Sequence, residues 1–152
     1  MNTNIRALSG TQWNREFTGY FKTIKHLCGH IYISDYNWMK RFGGFREFQF
    51  INDPFFERTL TYGSQPFDDI ADYLLKREEL DKKMVLFTNE LTEGDLEKAI
   101  SFANMKGETV VKNAGGSILH LFNHQTHHRG MISLYLDMMG IDNDFSGLLA
   151  LV

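Results

Sequence analysis

The chain has 152 residues, 43% of them hydrophobic and 14% aromatic, with only 2 prolines; this content suits a single compact domain and excludes intrinsic disorder and collagen-like repetition. With 16 Lys and Arg against 19 Asp and Glu, the net charge is −3, so no basic field gathers nucleic acid or anionic membrane around it. The lone cysteine, Cys28, closes no intrachain disulfide. The opening MNTNIRALSG lacks a secretory pattern, and the longest apolar run, Leu148 to Val152, is far short of the roughly 20 residues that cross a bilayer. A cytoplasmic protein is expected, with no membrane span and no nucleic-acid partner.

In chain order, residues 2–8 form a short helix broken at Ser9-Gly10, before Thr11 as a possible N-cap. From about Tyr20 to Phe42 the apolar residues Ile24, Leu27, Cys28, Ile31, Trp38 and Phe42 recur at three- and four-residue spacing, which predicts an amphipathic helix stopped by Gly43-Gly44. Residues 45–65 carry aromatics without a sustained helical period and read as a long, aromatic-anchored connection. Pro66 stands as a first-turn proline, and the stretch to about Glu90 places Ile70, Tyr73, Leu74, Leu80, Met84 and Phe87 on one side of a second long helix. Within it, the charges KREELDKK read as a wet face. Ile100–Asn104 and Glu108–Lys112 flank Met-Lys-Gly as a small β-hairpin, the alternative being a short helix continuing from Thr92. Ser117–Met139, between Gly115-Gly116 and Gly140, is a third long helix. The economical architecture is mainly α: an antiparallel helix bundle, a single domain over residues 1–152, with a minor β-hairpin.

The histidines carry the strongest chemical signal. Of the six, His120, His124, His127 and His128 fall within nine residues of one predicted helix, on an arc of roughly 100° that also holds Met131, Tyr135 and Met138 and is expected to face inward. Interior imidazoles need hydrogen-bond partners or a metal, and neutral imidazole suits Zn, Ni, Cu or Fe. Residues four apart lie one turn above each other, so His120/His124 and His124/His128 can each converge on one ion. A third ligand must come from elsewhere. His26 and His30 repeat the spacing, and His30 sits closer to its helix's buried stripe. For His120 and His127 the plainer reading is a hydrogen-bonded neighbour or a surface histidine, for His26 a solvated helix residue, and for Cys28 a buried inert thiol. Met131, Met138 and Met139 read as core filling.

Nothing matches GxGxxG, GxxxxGK[ST] or GxSxG, and no acidic residue stands three positions before any histidine, as di-iron bundles require.

The segment NHQTHHRG (Asn123 to Gly130), continuing into MISLYLDMMG, resembles the C-terminal metal helix of the DinB/YfiT-like damage-inducible proteins. HIYISDYNW (His30 to Trp38) resembles the same family's first metal motif, a histidine followed by an acidic residue and then Trp. The resemblance implies an up-down-down-up four-helix bundle holding one divalent metal on three histidines, which here are His30, His124 and His128. Met131 stands where the family usually has Gln. The family's first helix normally begins well before the residues matching Leu8-Ser9, so a short first helix is expected and, with it, a homodimer in which a partner covers the exposed groove.

Three histidines leave a coordination position open, as in catalytic rather than closed structural zinc sites. The expected function is therefore a metal-dependent enzyme, with Zn or Ni as the fitting ions, acting on a small-molecule substrate. It resembles family members that transfer or isomerise with a low-molecular-weight thiol. His127 or Tyr135 would assist as proton carrier. The alternatives are a metal-dependent hydrolase, a non-catalytic metal-binding or stress-response interaction protein, and a metal-free histidine network that senses pH.

Overall fold

The computed structural model describes residues 1–104 and 106–147. Over these residues the protein is mainly helical, with six helices and one two-stranded antiparallel sheet: α1 (Asn2–Arg6), α2 (Gly10–Trp13), α3 (Ile24–Phe42), α4 (Ile70–Glu90), α5 (Glu93–Leu96), β1 (Ala99–Ala103), β2 (Thr109–Asn113) and α6 (Ala114–Asp137). Met105, in the expected turn, and the apolar run Leu148 to Val152 lie outside the described residues. The three long helices are those expected. Both readings of the stretch after Thr92 hold, because the short α5 precedes the hairpin.

The boundaries moved where side-chain caps decide them. The second helix of the chain, α2, is capped by Ser9 rather than Thr11: its hydroxyl accepts from Gln12 N while the Gln12 side chain accepts from Ser9 N. Thr23 Oγ1 accepts from His26 N, so α3 starts at Ile24 rather than near Tyr20. Asp69 Oδ1 accepts from Asp72 N and starts α4 at Ile70. Pro66 is therefore not a first-turn proline; it packs against α3, where a Cβ on Gly29 would come within 3.2 Å of Pro66 Cδ. Asn113 Oδ1 accepts from Gly116 N, which draws Gly115 and Gly116 into the first turn of α6, three residues ahead of the expected Ser117. The strands are displaced by one residue from those expected because the Asn104 side chain accepts from Lys106 N and Glu108 N and so builds the turn.

The core is centred on α3, which packs against α4, α6 and β1. All six apolar residues expected on its inner face are buried. It ends at Gly43, where a side chain would collide with Ile51, only 2.4 Å from the Cβ position. The 45–65 connection is two 3-10 turns, Gln49–Asn52 and Pro54–Glu57, anchored by buried Phe48, Phe50 and Phe56. Phe87 of α4 stacks on Phe42 at 5.1 Å and 3°, with Phe48 and Phe50 edge-on to it. Each such ring contributes about 1.5–3 kcal/mol by leaving water. Along β1, Ile100 is buried and Phe102 is half-buried on the same face, while Ser101 and Ala103 alternate outward, the two-residue period of a half-buried strand.

The N-terminal segment is bound by three aromatics four residues apart. Trp13 lies 5.6 Å from Tyr73 of α4, Phe17 stacks on Tyr135 of α6 at 4.2 Å, and Phe21 reaches the histidines. The first helix is short, as expected, and α1 packs on α4.

Candidate metal centre

His30 comes from the second turn of α3; His124 and His128 come from consecutive turns of α6, one above the other. His30 Nε2 lies 3.0 Å from His124 Nε2, and His124 Nε2 lies 3.1 Å from His128 Nε2. All three ligand atoms fall within 4.8 Å of one another, so the three side chains are close enough to hold one metal ion. Bonds of about 2.0–2.1 Å to a tetrahedral zinc place two imidazole nitrogens roughly 3.3 Å apart, only a few tenths of an ångström wider than the two short separations seen. Three neutral nitrogen donors without a carboxylate suit Zn, Ni or Cu better than Mg or Ca.

Burial keeps these rings neutral. Desolvation pushes His128 down to about 3, with His124, His30 and His127 adding repulsion, and pushes His124 down to about 4, helped by His30, His120 and His127. His30 is lowered by burial and then by His26. Uncharged imidazole is the form that binds a cation. Among the described residues, Nδ1 of His124 and of His128 has no hydrogen-bond partner, so no carboxylate orients these two rings from behind, the arrangement common among metal-bound histidines. Packing positions them instead. Phe21 meets His128 edge-on at 5.3 Å and lies 4.8 Å from His30.

Phe21 is itself held from α6. The Tyr135 hydroxyl donates to the Phe21 carbonyl at 2.6 Å, so this group is engaged structurally rather than free as a proton carrier. Sequence reasoning missed Phe21 because it falls at the expected start of α3, where nothing marks it as facing a site.

Only part of the expected inward arc faces inward. His128 is buried and His124 half-buried, but His120 and His127 are exposed, in keeping with the surface reading of the two. Met138 is 51% exposed and does not fill the core, whereas Met131 and Met139 pack against it. The arc is wider than the contact α6 makes with α3, so its edges reach solvent. His26 is half-buried, 5.2 Å from Phe21. Cys28 is buried, and desolvation raises its thiol to about 12 against the hydrogen bond with Tyr73, the inert state expected.

An open cleft of about 430 Å³ adjoins the histidines. His30 and His124 form its floor, Trp38 and Arg41 continue it along α3, and Tyr62 and Phe102 wall it from the 58–69 loop and β1.

A second polar cluster lies elsewhere on α3. Asp35, fully buried, accepts on Oδ2 from Arg77 Nη1 at 2.6 Å and from Gln125 Nε2 at 2.9 Å. Arg77 also donates to Asp81 Oδ1. Burial raises the Asp35 carboxyl, with Arg77 and Gln125 opposing it; Asp35 and Asp81 keep the buried guanidinium charged against its own desolvation. Arg77 thus departs from the expected wet face of KREELDKK. A signal existed in the sequence: Tyr73, Arg77, Leu80 and Met84 follow the buried spacing, as do Ile31, Asp35, Trp38 and Phe42.

A mainly helical fold that converges three imidazoles beside an open cleft defines a class of helical proteins with a candidate metal centre. The chain belongs to the DinB family, whose family model matches residues 1–144. It is similar to the protein DinB of Bacillus subtilis strain 168, 24% identical over 138 residues, which span 90% of this chain and 76% of that protein. Among the described residues no helix is long and apolar enough to cross a membrane.

Proposed function

We propose that this protein is a metal-dependent enzyme in which His30, His124 and His128 hold one divalent ion, zinc or nickel, and leave a position open to a substrate from the cleft. The observation that carries this reading is the convergence of three neutral imidazole nitrogens, two of them, on His30 and His124, from rings that line an open cleft. When bound, such an ion lowers the pKa of a coordinated thiol or water and supplies a nucleophile near neutral pH. The protein's own contribution is arrangement. The α3–α6 contact sets the spacing of the three rings, Phe21 keeps water from one side, and the aromatic walls favour an apolar substrate body. A low-molecular-weight thiol is the cosubstrate proposed, for transfer or isomerisation; hydrolysis by an activated water uses the same site. In this reading the chain is one cytoplasmic domain over residues 1–152, with its helices in the family's up-down-down-up order and α1 and α2 in place of a full first helix, and it works as a homodimer. A monomer in analytical ultracentrifugation at micromolar concentration would remove the dimer.

Cobalt(II) substitution tests the site. An absorption band that appears when mercaptoethanol is added to cobalt-loaded protein, and is absent from His124→Ala, is the result expected of an open position. A cobalt spectrum unmoved by thiol, with the metal bound, would leave a closed structural ion.

A further inference from the structure

The cleft beside the histidines is uneven in its charges. His26, His30 and His124 line it at one end, Arg41 lies at the other, and His120 packs on Trp38 between them; among the described residues no Asp or Glu lines it. Arg41 is half-buried, its guanidinium 4.7 Å from the Trp38 ring and 4.8 Å from the Phe102 ring. Among the described residues no carboxylate pairs with it. A guanidinium packed against two touching aromatic rings has its position fixed while its N–H edge stays available, the arrangement that receives a carboxylate or phosphate in two parallel hydrogen bonds. Arg41 lies eleven residues beyond His30 on the same helix, three turns or roughly 16 Å along its axis. Ser34 and Trp38 line the intervening turns.

We infer that the cleft takes an elongated small molecule that carries an anionic group, a carboxylate or phosphate, at the end away from His30 and His124, and that Arg41 is the residue that selects for that group. This rests on the proposed function for what happens at the histidine end and names the chemistry of the substrate at the other. The aromatic rings of Trp38, Tyr62 and Phe102 match an apolar middle. Among the described residues that line the cleft no acidic side chain stands to repel an entering anion.

The test uses full-length protein with and without cobalt, and two matched probes, mercaptoundecanoate and mercaptoundecanol, which share thiol and chain and differ only in the far end. Calorimetry reads binding, and the cobalt spectrum reads thiol ligation. The acid is expected to bind about tenfold more tightly than the alcohol. Arg41→Gln should abolish that difference while leaving the alcohol's affinity and the cobalt content unchanged, and Arg41→Lys should retain part of it. Mercaptopropionate, too short to span the cleft, should bind equally to wild-type protein and Arg41→Gln. Equal affinities for acid and alcohol, an equal loss for both in Arg41→Gln, or no binding of either probe would each overturn the inference. Failure of the metal reading shows separately: no cobalt band forms, while calorimetry still ranks acid over alcohol in wild-type protein alone.

Discussion

Helix α3 carries two polar clusters that solve the problem of burial in opposite ways. His30 and Asp35 are five residues apart, so they point roughly 140° away from each other. On Asp35's side the groups are charged and answered within the chain by Arg77 and Gln125. On His30's side the groups are neutral, three basic nitrogens face one another, and burial keeps protons off them. The first cluster is closed by internal partners at Asp35 Oδ2, while Oδ1 has none among the described residues, and it ties α3 to α4 and α6. The second offers its lone pairs outward to a ligand. The two converge on adjacent residues of α6, since Gln125 binds Asp35 while His124 meets His30, so the closed cluster sets the helix spacing that the open one uses.

Breaking the closed cluster should have the largest effect. Arg77→Ala strands the Asp35 carboxylate in the core and is expected to cost about 3–5 kcal/mol in urea unfolding. A double variant, Asp35→Leu with Arg77→Met, should recover most of that loss. His124→Gln in metal-free protein removes no charge pair and should cost about 1 kcal/mol or less. Equal losses from Arg77→Ala and His124→Gln would erase the distinction between the clusters.

The open cluster should respond to ligand instead. Zinc at one hundred times its dissociation constant should stabilise wild-type protein by about 2.7 kcal/mol, seen as a higher Tm, and should leave His30→Ala and His128→Ala unmoved. A similar zinc-induced rise in those variants would place the ion elsewhere.

Tyr135→Phe sharpens the role of Phe21. It leaves the Phe21 carbonyl without its donor, for a loss of about 1–3 kcal/mol. Metal affinity should weaken with it, because the ring packed on His30 and His128 loses its anchor.

The smallest effect lies far from both clusters, in the cap of α5. The Lys98 ammonium, with Thr92 and Arg46, holds the Asp95 carboxyl well below the usual carboxylate range against the cost of its burial. A folded value below the unfolded one of about 3.9 means that the stabilisation is complete above that pH and lost as pH falls through the folded value. The stability gap between wild-type protein and Asp95→Asn should therefore be constant near neutrality and narrow below about pH 4. A gap that persists unchanged to pH 2 would show that the carboxylate's charge is not its source.

The long helices and the histidine spacing were legible because both are local. The apolar stripe of α3 and the four-residue step from His124 to His128 lie within single helices, and the period of the helix alone relates them. The starts of α3, α4 and α6 were less so, because Thr23, Asp69 and Asn113 each compete with nearby residues that also suit a cap or a turn. The Asp35–Arg77 pair bridges 42 residues of chain; the buried spacing on each helix was there to be read, but only the fold joins the two charges. Phe21 and Arg41 owe their roles to the loop, the hairpin and α6 meeting over α3, and no pattern within either segment encodes that meeting.

Elemental analysis of untagged wild-type protein, beside folded His30→Ala, His124→Ala and His128→Ala variants, tests the three-histidine site most directly. One zinc or nickel per wild-type chain, lost in each variant while circular dichroism shows the helices intact, is the predicted result. Folded wild-type protein that takes up no divalent ion even after reconstitution would contradict it.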